Sequence, residues 1–186
     1  AFRECPALSR VTFAEGSKLQ TIGVQAFISC DALASIQLPD SLVYIEGSAF
    51  RSCNKLSEID IPASVLSVGE SAFQECTDLS KVTLHNGTKS IGKEAFFVCG
   101  NLSSVTLPES LVSIGESAFN SCTSLTSVVV PKNIKTIENN TFRACSSLTN
   151  IVLPDSLVTI GESAFQGCGM SQIRIPDNVS VFGSHA

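Results

Sequence analysis

The sequence predicts an α/β repeat fold, a solenoid in which short strands stack into a parallel β-sheet along one face. The first observation is a fixed period: a Phe-x-x-Cys motif places the eight cysteines at one step of 25 residues and then six steps of 23. The second is an apolar pattern that recurs at the same positions of every unit. A unit this small cannot bury its apolar side alone, so it buries that side against its neighbours in a stack.

Residues 102–124 show the elements of one repeat most clearly. Val105 and Leu107 alternate with polar residues, which is the period-two pattern of a half-buried strand, and a proline ends the strand because it has no N–H to donate. Residues 111–114 predict a second short strand, closed by a glycine. Ser117 then has the character of an N-cap, which predicts a single helical turn at the Ala-Phe pair. Each coil is therefore predicted as strand, turn, short strand and helical turn.

Equivalent strands should stack about 4.8 Å apart, which makes the sheet of first strands the continuous surface of the rod. A core phenylalanine such as Phe96 should then touch Phe73 and Phe119 in the coils on either side.

Three coils depart from the regular repeat. Residues 14–18 predict a bulged surface loop in the first coil, because they carry two extra residues. His-Asn-Gly-Thr at 85–88 replaces the usual proline and leucine, which predicts a different turn with weaker packing. The last coil is one residue short, and we interpret it as a degenerate terminal repeat.

The repeats leave no internal boundary, so residues 1–186 are predicted to form one solenoid of about eight coils. The chain starts in the second half of a repeat and stops where the next Ala-Phe pair is expected, so we interpret it as cut mid-repeat at both ends. A solenoid needs polar caps at its ends. We therefore expect flanking repeats or neighbouring chains to cover the open coil ends.

The charge pattern argues against several classes of partner. The net charge is −5, from 12 basic and 17 acidic residues, and there is no basic run or arginine cluster. Nucleic acid is therefore not an expected partner, and neither is an anionic membrane surface. No stretch approaches the roughly 18 apolar residues of a membrane span, so no membrane insertion by this segment is expected.

The eight cysteines occupy one structural position of the repeat. Their Cα atoms, about 4.8 Å apart, would be within disulfide range, but parallel Cβ vectors oppose the torsion of roughly 90° that an S–S bond needs. We therefore predict a ladder of free, buried thiols whose S–H groups reach loop carbonyls. A zinc site would need four convergent ligands, and the chain has no Cys-x-x-Cys pair with histidine. No metal and no cofactor are predicted.

The outward positions of the first strands form two columns that would line the concave face. Glu58, Asp60 and Lys81 are its only charged group, and Val129 beside Val152 is its only apolar spot. The face lacks the Trp, Tyr and Arg clusters that usually anchor tight interfaces, so a solvated sheet face and a partner contact are both open interpretations. The candidate partner-binding residues are Arg10, Gln37, Glu58, Asp60, Lys81, Thr83, Thr106, Val129, Val152 and Arg174.

Lys93 is predicted to form weak surface ion pairs with Glu70 and Glu116. It interrupts an acidic column that we assign to Glu46, Glu70, Glu116, Glu138 and Glu162.

The two histidines predict no catalytic group. His185 lies in the terminal tail, and His85 has no nucleophile or carboxylate at a meaningful spacing. Enzymatic activity is therefore not predicted for this chain.

The 23-residue unit L-x-x-I-x-L-P-x-S-L-x-x-I-G-x-x-A-F-x-x-C, seen at residues 33–53, 102–122 and 148–168, resembles the BspA-like leucine-rich repeats. The resemblance spans essentially the whole chain and implies a right-handed leucine-rich repeat solenoid. The family is similar to bacterial and protist surface proteins whose repeats act as adhesion or protein-binding modules. It supplies no catalytic residues.

Two functional hypotheses follow from this resemblance. The first is a non-enzymatic protein-binding module, for adhesion or surface interaction, on a cell-surface or secreted protein that contacts other proteins through the strand face and loops. The alternative is a structural scaffold or linker subunit inside a larger assembly, which would be intracellular or organellar. The sequence does not identify the partner under either hypothesis.

Overall fold

The computed structural model describes all 186 residues, Ala1–Ala186, as a stack of about eight coils built from 15 short strands. The predicted solenoid is confirmed. We number the coils from the residue that opens each repeat: coil 1 is 8–32, coil 2 is 33–55, coil 3 is 56–78, coil 4 is 79–101, coil 5 is 102–124, coil 6 is 125–147, coil 7 is 148–169 and coil 8 is 170–186.

The strands lie in two rows, and every strand pair is parallel. The first-row strands are Arg10–Val11, Ser35–Ile36, Glu58–Ile61, Lys81–Leu84, Ser104–Thr106, Ser127–Val129 and Asn150–Val152. The second-row strands are Thr21–Ile22, Tyr44–Ile45, Ser67–Val68, Ser90–Ile91, Ser113–Ile114, Thr136–Ile137, Thr159–Ile160 and Val181–Phe182.

Side chains alternate between the core and solvent along the first-row strands. In the strand of coil 3, Ile59 and Ile61 are buried while Glu58 and Asp60 are exposed. The outward side chains of this row form the surface that we call the strand face. One continuous apolar core lies on the other side of the row and runs the length of the stack.

The expectation that the first-row sheet is the continuous surface is wrong. The first row divides into three separate sheets, whereas the second row contains the largest sheet, with five strands. The first-row break after coil 2 follows the two-residue strand Ser35–Ile36.

The predicted helical turn is also wrong, since the structure has no helix. Ser117 and Ser121 have φ of 56° and 63°, which a right-handed helix excludes. Alternate N–H groups of this segment point along the stack: Ser117 N donates to Asn139 O at 3.0 Å, and Phe119 N donates to Thr141 O at 2.9 Å. The segment thus satisfies these N–H groups on the next coil, which is why a Ser-Ala-Phe pattern that favours a helix locally forms stacked turns instead.

The phenylalanines form a ladder through the core, as predicted. The Phe96 ring centroid lies 5.4 Å from that of Phe73 and 5.3 Å from that of Phe119. Neighbouring rings are 5.2 to 5.9 Å apart and within 9° of parallel along the whole ladder. We call this the phenylalanine side, or outer side, of the stack, in contrast to the strand face.

All eight cysteines carry free thiols, and all except Cys5 and Cys168 are buried. The Cys99 Sγ donates to the Phe73 carbonyl oxygen at 3.1 Å, and the equivalent bond recurs for each cysteine from Cys30 to Cys168. The predicted buried thiol ladder is therefore confirmed. Burial raises the pKa of Cys53 and of Cys145 to about 12.

The irregular coils at the two ends of the stack follow the sequence predictions. Coil 1 carries an exposed loop closed by a turn, in which Ser17 N donates to Ala14 O at 3.1 Å and Gly16 has φ of 71°. Coil 8 has no first-row strand, and its Ile173 is 37% exposed.

A helix able to span a bilayer is absent from the structure.

A glycine follows the second-row strand in most coils because the backbone there lies against the coil before it. A Cβ on Gly115 would be 2.5 Å from Lys93 N, and one on Gly92 would be 2.6 Å from Glu70 N. A side chain at either of these positions would require the facing backbone to shift. We call this position the glycine column, and its glycines are Gly23, Gly69, Gly92, Gly115, Gly161 and Gly183.

The predicted acidic column had the wrong register in two coils. Glu46 and Glu138 occupy the glycine column of coils 2 and 6, as shown by the backbone of Glu46 facing Gly69 and that of Glu138 facing Gly161. The next column contains Glu70, Lys93, Glu116, Asn139 and Glu162.

The ion pairs of Lys93 are only partly as predicted. Its Nζ lies 3.6 Å from Glu116 and 4.0 Å from Glu94, while the predicted pair with Glu70 is not formed. All three side chains are partly exposed, so these pairs contribute little to stability.

Candidate functional site

The ten candidate residues lie where the sequence places them, on the outward side of the first-row position. Nine are exposed and Thr83 is half-buried. Their outward orientation follows from the alternation of the strands, since each lies next to an inward-facing valine, leucine or isoleucine or to its equivalent in coil 8.

An open groove of about 660 Å³ runs across the strand face of coils 1 to 4. Six of the ten candidates line it, whereas Thr106, Val129, Val152 and Arg174 lie outside. The charged and amide-bearing residues that line the groove are Arg10, Gln37, Asp40, Glu58, Asp60, Lys81 and His85.

The groove presents charged side chains that have no ionic partner in the chain. Glu58 and Lys81 are direct register partners on neighbouring strands. Neither forms an ion pair within 4.0 Å, and the same is true of Arg10. These three side chains are exposed and free to meet charges of a partner.

His85 belongs to the groove, and the prediction that it has no carboxylate near it is wrong. Its Nε2 lies 2.7 Å from the Asp60 Oδ1. The two residues are 25 positions apart in the sequence, which is one coil plus two residues. This separation alone does not predict a contact between them.

The irregular turn of coil 4 brings His85 into this position. Gly87 has φ of 150°, and a Cβ on it would lie only 1.7 Å from the Ala63 carbonyl oxygen of coil 3. Gly87 N also donates to Ser110 Oγ at 2.9 Å. The turn therefore packs down on coil 3 as only glycine permits, and His85 lies beside Asp60 as a result.

The predicted weaker packing of this turn is consistent with two unsatisfied hydroxyls. Thr88, which replaces the usual leucine, is fully buried, and its Oγ1 has no hydrogen-bond partner. Ser64 Oγ in coil 3 is buried and unpartnered as well. Each such group reduces stability, because it loses its hydrogen bonds to water without replacement.

The remaining candidates form a second, uncharged part of the strand face. Val129 and Val152 are direct register partners and are 63% and 50% exposed. Arg174 Nη1 bonds to Asp155 Oδ1 at 3.0 Å, so its charge is directed toward the turn of coil 7 and away from the valine pair.

The titratable groups of the core do not add a reactive site. Desolvation raises the pKa of the Cys76, Cys99 and Cys122 thiols well above 9.0, which keeps them protonated and poorly nucleophilic. No group of three or more His, Cys, Asp and Glu side chains is placed to hold a metal ion.

Comparison with known families identifies the repeat. The family model of the BspA-type leucine-rich repeat region matches in six copies over residues 1–96 and 67–186, which together span the chain. No curated protein matches.

Solved structures of bacterial leucine-rich repeat proteins are similar to this fold. A leucine-rich repeat protein of T. pallidum has 30% identity and a TM-score of 0.81, over 91% of this chain and 78% of that one. A leucine-rich cell surface protein of Faecalibacterium prausnitzii has 28% identity and a TM-score of 0.73, over 93% of this chain and 45% of that one. A leucine-rich repeat protein of Eubacterium ventriosum has 25% identity and a TM-score of 0.81, over 91% and 46%. The chain thus spans less than half of the last two proteins.

Proposed function

This chain belongs to the BspA-type leucine-rich repeat family, and from that premise we propose that it is a non-enzymatic protein-binding module that contacts its partner through the strand face. Leucine-rich repeat solenoids present a long inner surface, which suits the binding of other proteins.

The groove of coils 1 to 4 is the observation that carries the proposal. It combines an exposed Arg10, Glu58 and Lys81 that lack ionic partners with the Asp60–His85 pair at 2.7 Å. Charges that the chain does not neutralise itself are available to steer and orient a partner of complementary charge.

The valine pair supplies an apolar contact on the same face. Val129 and Val152 lie side by side in coils 6 and 7, three and four coils beyond the charged strand of coil 3. A protein partner that lies along the strand face would reach both regions, with charged contacts at one end and apolar contacts at the other.

We further propose that the chain acts at the cell surface or in secreted form, in adhesion or surface interaction. The support is its similarity to the leucine-rich cell surface protein of Faecalibacterium prausnitzii. Protease treatment of intact source cells tests this location: loss of the chain from intact cells is expected, and its full protection until the cells are broken would place it inside.

Cross-linking mass spectrometry on the protein in its source cells tests the binding proposal. Cross-links from Lys81, Glu58 or Arg10 to an external protein are the expected result. Cross-links mainly from Lys93 and Lys132 to a fixed set of co-assembled chains would instead identify a structural scaffold and reject the strand face as the binding surface.

The partner found in this way then allows a matched comparison of variants. Lys81→Glu and Asp60→Ala should each weaken binding by about tenfold. Lys89→Glu is the control, because Lys89 is an exposed lysine without an ionic partner that lies beside the second row. Equal effects of Lys81→Glu and Lys89→Glu would show that the net charge matters and that the groove does not.

A further inference from the structure

The boundary between coils 5 and 6 lacks backbone hydrogen bonds that every other boundary has. Between coils 4 and 5, for example, Val112 N donates to Lys89 O and Gly115 N donates to Ile91 O, both at 2.9 Å. These two bonds flank the second-row strand, and their equivalents are present at all six other boundaries. In coil 6 the N–H groups of Lys135 and Glu138 have no such bond.

Both strand rows are interrupted at this boundary. Ser113–Ile114 does not pair with Thr136–Ile137, and Ser104–Thr106 does not pair with Ser127–Val129. It is the only boundary at which the second-row sheet ends. Inward-facing residues of coil 5 are also less covered there, since Val105 and Leu107 are half-buried.

The outer side of the same boundary is intact. Phe119 and Phe142 stack at 5.5 Å and within 4° of parallel. Ser117 N donates to Asn139 O at 3.0 Å, and Ser121 N to Arg143 O at 2.8 Å. The two coils are therefore joined along the phenylalanine side and weakly joined along the strand side.

The glycine column gives the physical reason. Coil 6 is the only coil with no glycine at either of the two positions after its second-row strand, where it has Glu138 and Asn139. Coil 2 also has a glutamate in the column, but Gly47 follows it, and Glu46 N keeps its bond to Ile22 O at 2.9 Å. The two bonds are thus missing only in the coil that has neither glycine, and we attribute their loss to the added Cβ atoms.

We propose that the boundary between coils 5 and 6 is a hinge, about which coils 1–5 and coils 6–8 move as two blocks. The blocks separate on the strand side and stay joined on the phenylalanine side. The groove lies on the first block and the valine pair on the second. If the proposed function holds, the hinge sets how far apart these two contact regions lie for a partner.

Amide hydrogen exchange of the whole chain, followed residue by residue by NMR, tests the missing bonds without any partner. The amides of Lys135 and Glu138 should exchange about tenfold or more faster than those of Val112 and Gly115 or of Val158 and Gly161. Equal protection at all three boundaries would overturn the hinge.

A restored glycine gives the matched variant. Asn139→Gly recreates the Glu-Gly order of coil 2, and Glu138→Gly recreates the glycine column itself. Either should slow exchange at positions 135 and 138 by about tenfold. Glu46→Gly is the control, because coil 2 already has its bonds, and it should leave the exchange of Val43 unchanged. Failure of both restoring variants to slow exchange in a folded chain would reject the proposed cause.

Spin labels measure the motion itself, in a Cys5→Ala, Cys168→Ala background, because these two are the native thiols that are not buried. The pair Thr83→Cys and Val152→Cys spans three coils across the boundary, and the pair Gln37→Cys and Thr106→Cys spans three coils within the first block. A broader distance distribution for the first pair, narrowed by Asn139→Gly, is expected. Equally narrow distributions would show a rigid stack and overturn the hinge whether or not the strand face binds a protein.

Discussion

The thiol of Cys99 donates its hydrogen to the carbonyl oxygen of Phe73 at 3.1 Å, and both residues are fully buried. This bond joins the two ladders of the core, because every cysteine of the inner coils lies beside a phenylalanine of the stack. It also explains why cysteine suits this position: the side chain is small and apolar, yet it has one weak hydrogen to give to a carbonyl that needs it.

We expect the thiols to differ sharply in their reactivity. In the native chain at pH 8, alkylation should modify Cys5 first, whereas Cys76, Cys99 and Cys122 should react only after unfolding, because they are buried and their pKa is raised. Mass spectrometry of alkylated peptides provides the measurement. Fewer than eight alkylated cysteines after denaturation without reductant would contradict the free thiol ladder.

Stability should fall in alkaline solution. Burial raises the pKa of Cys53 from 9.0 to about 12, so the folded chain keeps this proton at a pH where the unfolded chain has lost it. The stabilisation is complete below about pH 9 and is lost as the pH rises toward 12. Each such thiol should lower the free energy of unfolding by about 1.4 kcal/mol per pH unit in that range.

Urea unfolding at several pH values measures this slope. Cys53→Ala should make the slope shallower by the contribution of one thiol, although it also lowers stability at every pH through the cavity it leaves. Leu56→Ala is the control, because it also leaves a buried cavity but removes no ionisable group, so it should leave the slope unchanged. The same slope in all three proteins would show that these thiols do not cause the pH dependence.

The phenylalanine ladder should dominate the stability of the inner coils. Phe96→Ala removes a fully buried ring that stacks on both sides, so we expect a loss of about 3 to 5 kcal/mol in the free energy of unfolding. Phe2→Ala is the control: the ring is 50% exposed and stacks on one side only, so a loss of about 1 kcal/mol is expected. Similar losses in chemical denaturation would argue against a continuous ladder.

Gly87→Ala should disrupt the turn that positions His85. The new Cβ would overlap the Ala63 carbonyl at 1.7 Å, and we expect a loss of about 2 to 4 kcal/mol together with loss of the His85–Asp60 contact. Gly16→Ala in the open loop of coil 1 meets no atom within 4 Å and should cost about 1 kcal/mol from its positive φ alone. Thermal unfolding and the NMR shifts of His85 measure both effects, and an unshifted His85 signal in Gly87→Ala would contradict this account.

The repeat made much of the fold predictable. Phe96 and Cys99 recur at a fixed interval, so their stacking, burial and contact with a backbone carbonyl all follow from one coil placed on the next. The helical turn was not predictable in the same way. Ser117, Ala118 and Phe119 form an acceptable local helix start, and only the neighbouring coil, which accepts their alternate N–H bonds, decides against it.

The site was predictable at strand positions that recur regularly in each coil. It was not predictable where a coil departs from the regular repeat. Glu58, Asp60 and Lys81 were placed on one face by strand alternation alone. The contact of His85 with Asp60 was missed because it depends on how closely the turn at Gly87 packs on coil 3, and the repeat spacing does not predict that distance. Glu46 was assigned to the wrong column because exchanging the order of Glu and Gly leaves the composition of a coil unchanged, and Glu138 because coil 6 has no glycine to mark the column.

The equal spacing of the phenylalanine rings has an evolutionary consequence. Because the phenylalanines recur at one interval, an in-frame loss of 23 residues, such as 79–101, would keep the ladder in register: Phe73 would stack on Phe119. A gene of this kind can therefore lengthen or shorten its product by recombination between repeats while the ladder stays continuous across the junction. The reach of the inner surface, unlike its chemistry, can change in a single genetic step.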